Sequence, residues 1–241
     1  MNITIKNTDM KIENEKLIIN IDSEIEKVLK EEKIVRLGDL EIGSVINGKY
    51  VVVEQDPSNK RTAVVRKEVL DERMEFGVDN NWKFSALREY LNKKYYAELC
   101  NEFGMENIET HEVYLLSMDG NDEYGVDTCF VSVMTVDRYR KYHKLIGNAE
   151  YTEWLSTPNR TKESGDTTFV QCVNDDGSVV CGVCNLRSRA ARPFFVLKSS
   201  IFVSINDTDQ EDNCKHMRDG LCRNGASSTG NCKTACSYYE K

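Results

Sequence analysis

The chain has 241 residues, of which 40% are apolar and 30% charged, and its formal net charge is −8. This composition favours a globular protein with a substantial core and excludes a largely disordered chain. The negative charge argues against nucleic-acid binding, because phosphate neutralisation supplies most of that affinity. No apolar run approaches the ~18 residues of a membrane span, and residues 1–7 lack signal-peptide features. We therefore expect a cytoplasmic protein without a membrane segment.

The first 35 residues predict a small arm. Apolar and polar residues alternate over residues 2–21, which predicts a hairpin or two edge strands. Ser23 and Glu26 have the spacing of a capping box, in which each side chain satisfies a free backbone N–H of the other residue. This pair predicts a short amphipathic helix over residues 23–32.

The chain from residue 44 onward predicts strands. Asn47-Gly48 separates two apolar runs, which favours a type I′ hairpin because that turn requires positive φ at both central residues. Further apolar runs predict three more strands, at 62–65, 113–117 and 129–133.

Two helices are predicted within this strand-rich region. The first runs from Ser85, as N-cap, to about Cys100, and its apolar face comprises Leu87, Tyr90, Leu91 and Tyr95. The second begins after Thr135 and continues to about His143, before Gly147, and its apolar face comprises Val136, Tyr139 and Tyr142.

Asp176-Gly177 lies between two β-branched runs, and this pattern predicts another hairpin. A two-residue loop would place Cys172 opposite Cys181. A four-residue loop would instead pair Val173 with Ser178. After this hairpin, residues 194–197 predict a final core strand.

Three ordered motifs resemble the signature of a family of bacterial and phage domains of unknown function. Residues 82–96, WKFSALREYLNKKYY, are similar to the family's W-x-x-S-x-L-R-x-W-L-N-x-x-F-Y, and residues 114–119, YLLSMD, to its V-F-L-L-S-x-D/E. Residues 154–158, WLSTP, with the later DGSV and RPFFVL segments, are similar to W-L-R-S-P, D-G-s-V and R-P-A-L-W-L. Ser156 stands where the family has Arg, and Ala190-Ala191 replaces Gly-Val.

The resemblance spans about residues 36–203 and implies a C-type-lectin-like scaffold, shared with formylglycine-generating enzymes and phage variable receptor-binding proteins. The expected architecture is a mixed α+β domain with two helices over 36–203. An N-terminal strand-and-helix arm (1–35) precedes it, and a cysteine-rich tail (204–241) follows it. A phage protein of this kind would be cytoplasmic or a virion component released by lysis.

Four of the nine cysteines lie in the tail, at Cys214, Cys222, Cys232 and Cys236. Cysteines in a reducing compartment are metal ligands or core residues more often than disulfides. Four thiolates suit tetrahedral zinc, and a bound metal would supply folding energy that this polar segment cannot obtain from a core. We expect a structural zinc site, with two disulfides or unpaired thiols as alternatives.

Cys172, Cys181 and Cys184 belong to the hairpin, where strand and loop positions without chemistry are the first interpretation. They could alternatively offer three metal ligands. The formylglycine-generating relatives imply a further alternative, a copper-dependent oxidase that uses Cys181 and Cys184.

Hydrolase and nucleotide-binding motifs are absent from the sequence. A Cys–His enzyme would have to pair one of two thiols with one of two imidazoles, namely Cys100 or Cys129 with His111 or His143. We do not expect an enzyme.

Arginine and aromatic residues dominate binding hot spots. The predicted ligand-binding residues, in or near the loops at 156–168 and 184–190, are Trp154, Ser156, Arg160, Arg187 and Arg189. Arg192 is expected to tie loops together through its guanidinium.

The predicted function is a non-enzymatic binding module, encoded by a phage or prophage, that recognises a protein or glycan. The alternative binding function is an acidic cytoplasmic inhibitor of a host defence protein. The sequence leaves the oligomeric state open.

Overall fold

The computed structural model describes residues 10–13, 16–19, 33–205, 217–218 and 221–222. The chain divides into two units, Met1–Ile205 and Asn206–Lys241. The first unit is a mixed α+β domain, made mostly of sheets with two helical segments. Within the described ranges, no helix has the length and apolar character that crossing a membrane requires.

The strands of the first unit are β1 (Met10–Glu13), β2 (Lys16–Ile19), β3 (Lys33–Arg36), β4 (Val45–Ile46), β5 (Tyr50–Asp56), β6 (Arg61–Arg66), β7 (Ile108–Glu109), β8 (His111–Tyr114), β9 (Val126–Cys129), β10 (Val131–Ser132), β11 (Glu153–Pro158), β12 (Phe169–Val173), β13 (Val179–Val183), β14 (Phe194–Lys198) and β15 (Phe202–Ile205). The helices are α1 (Ala86–Tyr90), a π-helical turn (Leu91–Tyr95), α2 (Tyr96–Phe103) and α3 (Val136–Ile146), with 3-10 turns at Leu37–Asp39, Trp82–Phe84 and Met105–Asn107. In the second unit, β16 (Met217–Arg218) pairs with β17 (Leu221–Cys222).

The main sheet has the order β10-β14-β6-β5-β4, and β7 pairs with β14 beside β10. Successive β14 side chains point to opposite faces: Phe195 and Leu197 join the core beneath α1 and α2, whereas Phe194 and Val196 join the core beneath α3. A helix therefore covers each face. The prediction of a final core strand at 194–197 is confirmed, and this strand is buried on both sides.

The first helical segment begins as predicted, with the Ser85 hydroxyl accepting from Arg88 N at 3.1 Å. Its buried residues recur every fourth position, at Leu87, Leu91, Tyr95 and Leu99. On a regular α-helix of 3.6 residues per turn, such a row would drift by about 40° at each step. The wider π-helical turn takes up this drift and keeps the row against the sheet.

The second predicted helix is also confirmed and extends to Ile146. The Thr135 side chain accepts from Arg138 N, and Gly147 ends the helix with φ +63°. Its buried face comprises Val136, Tyr139, Tyr142 and Ile146, which is the predicted apolar stripe with one further member.

The predicted Asn47-Gly48 turn is confirmed, since both residues have positive φ, 50° and 65°. The strand predicted at 62–65 extends over β6. The strand predicted at 113–117 ends at Tyr114, and the run at 129–133 divides between β9 and β10.

Both predicted registers of the later hairpin are wrong. Cys172 pairs with Val180, and Gln171 pairs with Cys181, so the two cysteines point to opposite faces. Asn174 N donates to Ser178 O at 2.9 Å, which leaves a three-residue loop whose last residue, Gly177, has φ +84°. A type I turn followed by a left-handed glycine is the usual form of this loop length.

A buried ion pair links β11, in a second sheet of order β11-β12-β13, to the segment that leads into β14. Arg192 Nε lies 2.8 Å from Glu153 Oε2, and both side chains are 1% exposed. Arg192 also donates to the carbonyls of Ile146 and Gly147, each at 3.1 Å. Burial raises the pKa of Glu153 to about 7, and the Arg192 charge acts in the opposite direction. The prediction that Arg192 ties loops together is confirmed.

The first and last strands of the segment from residue 33 to residue 205 pair with each other. β3 pairs with β15, with Lys33 opposite Ile205 and Arg36 opposite Phe202, so the boundary predicted at residue 36 falls within β3. β1 and β2 form a hairpin. The helix predicted at 23–32 lies outside the described residues.

Candidate functional site

Two of the five predicted ligand residues lie inside the protein. Trp154 and Ser156 are fully buried in β11. The Trp154 indole Nε1 donates to Met74 O at 2.9 Å, and its ring packs 5.8 Å from that of Phe76. Trp154 thus packs within the core, and neither residue presents surface to an external ligand.

Arg189, another predicted ligand residue, packs against Trp154. Its guanidinium lies 4.7 Å from the centre of the Trp154 ring and donates to Cys172 Sγ. A Cβ at Gly182 would overlap this guanidinium, so glycine is required for the close approach. Burial raises the pKa of the Cys172 thiol to about 12, which holds the sulfur in its neutral form at pH 7.

Arg160 and Arg187 are exposed, as a ligand contact requires. Arg187 Nε donates to Glu75 Oε2 at 3.1 Å. The loop that carries Arg160 is held from beneath by the Asn80 amide, which donates to Arg160 O and Phe169 O, each at 2.8 Å. This loop is anchored rather than free: Thr161 is buried, whereas Arg160, Lys162 and Glu163 are exposed.

The sequence analysis missed a groove beside α3, with a volume of about 770 Å³. One wall is the segment that continues β8, together with β9. Its exposed apolar side chains are Tyr114 (61%), Leu116 (50%), Met118 (44%) and Val126 (42%). The residues that alternate with Tyr114, Leu116 and Met118 along the chain are buried, namely Val113, Leu115 and Ser117. The apolar run predicted a strand, but it could not show that apolar residues occupy the solvent side as well as the buried side.

The opposite wall is the first part of α3. Arg138 Nη2 donates to Glu112 O at 2.7 Å, and its guanidinium lies 4.3 Å from the centre of the Phe194 ring. Its Nη1 is buried without a hydrogen-bond partner. Lys141 pairs with Glu54 at 2.6 Å. Within the described ranges, no carboxylate forms an ion pair with Arg138.

A second groove of about 470 Å³ adjoins the first. The two share four lining residues, Glu54, Tyr114, Arg138 and Tyr142. They therefore form one continuous depression along β8. We call the two together the β8 groove.

The loop predicted at 156–168 approaches the same region. Glu163 N donates to Glu123 Oε2 at 2.7 Å, and Met118 N donates to Pro158 O at 3.0 Å. Met118, Asp122 and Thr157 line the groove. The predicted loop thus borders the groove through its contacts with the 117–123 turn.

No family model, curated protein or solved structure matches the chain. The resemblance to the bacterial and phage family therefore stays a prediction. Function has to be inferred from the site itself, since a fold alone does not determine it.

One Cys–His combination does lie close together. His111 and Cys129 are partners across β8 and β9. Burial raises the pKa of the Cys129 thiol to about 12 and lowers the pKa of His111 to about 3. Both side chains are therefore neutral at pH 7, which opposes the thiolate–imidazolium pair that such an enzyme uses.

The hairpin cysteines do not form a ligand set. Cys172 and Cys184 are buried, whereas Cys181 is exposed. Over the described part of the chain, no group of three or more His, Cys, Asp or Glu side chains could hold a metal ion. Of the predicted zinc ligands, Cys214, Cys232 and Cys236 lie outside the described residues, and Cys222 lies in β17.

Proposed function

We propose that this chain is a non-enzymatic binding module that recognises a protein or glycan ligand. The observation that carries this proposal is the β8 groove, which has four exposed apolar side chains along one wall. Contiguous exposed apolar surface is characteristic of binding sites. The groove lies beside the loop at 156–168, one of the two loops predicted to bind the ligand.

The β8–β9 wall of the groove is held in place by strand pairing and by a buried residue beneath it, which favours selective binding. Tyr114 and Val126 are partners in the β8–β9 ladder, and Leu115 beneath them is fully buried. A pocket that is formed before its ligand arrives loses little conformational entropy on binding. The C-type-lectin-like scaffold is part of this proposal, and the mixed α+β architecture with two helical segments is compatible with it.

A blocking substitution tests the proposal. The full chain is screened on a glycan array and used to capture proteins that are then identified and purified, and each ligand is titrated against Leu116→Arg. The matched control is Phe202→Arg, since Phe202 is also an exposed apolar residue (70%) but lies on β15, away from the groove.

We expect Leu116→Arg to weaken binding at least about tenfold, because a charge would have to be desolvated in the contact, and Phe202→Arg to bind as the wild type does. The proposal fails if neither screen returns a ligand, or if both variants bind every ligand as tightly as the wild type.

The tail forms a separate part of the proposal: Cys214, Cys222, Cys232 and Cys236 hold one structural zinc ion. Metal analysis of the purified chain tests it. We expect about one zinc per chain, lost when Cys232 and Cys236 are changed to Ser and retained when Cys100 is changed. A wild-type chain without zinc, or with intact disulfides in the tail, would contradict this assignment.

A further inference from the structure

One edge of β8 is open beside the groove. Leu115 N donates to Gly125 O at 2.9 Å, in register with the β8–β9 ladder, in which Tyr114 faces Val126. Hydrogen-bonded and non-hydrogen-bonded pairs alternate in an antiparallel ladder. The backbone N–H and C=O of Tyr114 therefore point away from β9. Glu112 has the same orientation, and its carbonyl accepts from Arg138 on that side.

The open edge continues past the end of the strand. Among the described residues, the N–H of Leu116 has no partner, whereas the N–H groups on either side, of Leu115 and Ser117, are both bonded. Proteins normally protect such an edge with charged side chains or a covering segment. Here the exposed side chains along the edge are Tyr114, Leu116 and Met118, so the unpaired backbone lies among apolar surface.

Among the described residues, Arg138 at this edge forms no ion pair, and Glu54, the groove carboxylate that acts on its charge, is bonded to Lys141. Arg138 lines both parts of the groove, and burial lowers its pKa. The nearby cations are otherwise paired, Lys141 with Glu54 and Arg61 with Glu109. An unpaired guanidinium in a partly desolvated site is the natural partner of a carboxylate.

We propose that the β8 groove binds an extended acidic–apolar segment of a partner protein, which adds to the edge of β8 as a further strand and places one carboxylate on Arg138. The inference rests on the proposed binding function and names its ligand class. Main-chain hydrogen bonds to Tyr114 and Leu116 hold the segment in place. Apolar side chains at alternate positions of the segment cover Leu116 and Met118.

The probe is a library of random twelve-residue peptides displayed on phage and selected on the full chain. Enriched peptides are synthesised and titrated by fluorescence anisotropy against the wild type and Arg138→Met. The matched control is Arg36→Met, since Arg36 is an exposed arginine bonded to Asp39 and lies outside the groove. Each peptide is also made with its acidic residue changed to the amide, which tests the charge pair without altering the protein.

We expect the enriched peptides to alternate apolar and polar residues around one Asp or Glu. Arg138→Met and the amide peptide should each weaken binding about tenfold or more, and the two changes together should do little more than either one. Arg36→Met should bind as the wild type does. Bound peptide should slow hydrogen exchange of the Tyr114 and Leu116 amides.

Peptides that bind Arg138→Met unchanged, or that leave those two amides unprotected, would overturn the inference. So would a selection that enriches nothing, while a glycan or folded-protein ligand found by the screens above would leave the wider binding function standing. A wild-type dimer that Leu116→Lys dissociates would assign the edge to a second copy of this chain and would also overturn it.

Discussion

Acid should destabilise the domain through His111, and replacing His111 by Gln should remove that part of the loss. His111 is only 6% exposed. Its Nε2 lies 2.8 Å from Ser132 Oγ, and its Nδ1 has no hydrogen-bond partner. Burial, assisted by the charges of Arg138 and Arg61, lowers the pKa of this imidazole to about 3 from an ordinary value of 6.5.

The direction of the pH dependence of stability follows from the number of protons that the folded and unfolded chains bind. Below pH 6.5 the unfolded chain takes up a proton at this position that the folded chain does not, so stability falls as the pH falls. With a pKa of about 3 in the folded state and 6.5 in the unfolded state, the loss is negligible at pH 7.5 and about 2 kcal/mol at pH 5.0. Glu153 contributes with the opposite sign, because its pKa is raised, but it is present in both proteins and cancels in the comparison.

The assay is urea denaturation of the wild type and His111→Gln at pH 7.5 and pH 5.0. For an m-value of about 2 kcal/mol/M, the wild-type midpoint should fall by about 1 M more than that of the variant. His143→Gln, on the exposed side of α3, is the control and should retain the wild-type response. If the wild type and His111→Gln lose the same stability between the two pH values, the buried imidazole is not the acid-sensitive group.

Three further substitutions test how the domain is held together. Arg192→Met should cost about 3–5 kcal/mol in urea denaturation, because it leaves Glu153 buried without its partner; the double variant Glu153→Met/Arg192→Met should recover most of that loss, and an equal cost in both would refute the pairing. Gly177→Ala should cost about 1–2 kcal/mol, since its φ is +84° and its Cβ would lie 2.7 Å from Asn148 Oδ1; an unchanged melting temperature would contradict this. Ser85→Ala should cost about 1 kcal/mol by removing the N-cap of α1, whereas Ser85→Asp should cost clearly less.

The elements that could be predicted are those specified by neighbouring residues. Ser85 and Thr135 act as helix caps because a side-chain oxygen meets an N–H three residues on. Asn47-Gly48 turns because those residue types accept positive φ. Such signals involve a few adjacent residues, and the structure agrees with each.

The hairpin register could not be predicted, because it depends on hydrogen bonds with Asn174 and Ser178, which flank the turn signal. Asp176 Oδ1 accepts from Ser178 N at 2.8 Å and from Ser178 Oγ at 2.6 Å, and Asn174 Nδ2 donates to Ser178 Oγ at 3.1 Å. These bonds close a three-residue loop. The Asp176-Gly177 pair alone indicated a turn without fixing its length.

The candidate site was the least predictable part, because burial depends on distant packing. Trp154 and its neighbour Leu155 belong to cores on opposite sides of β11, so the strand is buried on both faces. The alternating run from Val113 onward places its apolar residues on both sides, and nothing in that run shows which side faces water. Only the position of α3 across from it creates the β8 groove.

The pairing of β3 with β15 places residues 33 and 205 on directly opposed strands, about 5 Å apart. A polypeptide that enters and leaves a domain at one corner can be spliced into a surface turn of another protein without stretching it. The segment from residue 33 to residue 205 is thus suited to insertion into a host scaffold that leaves the β8 groove unaltered.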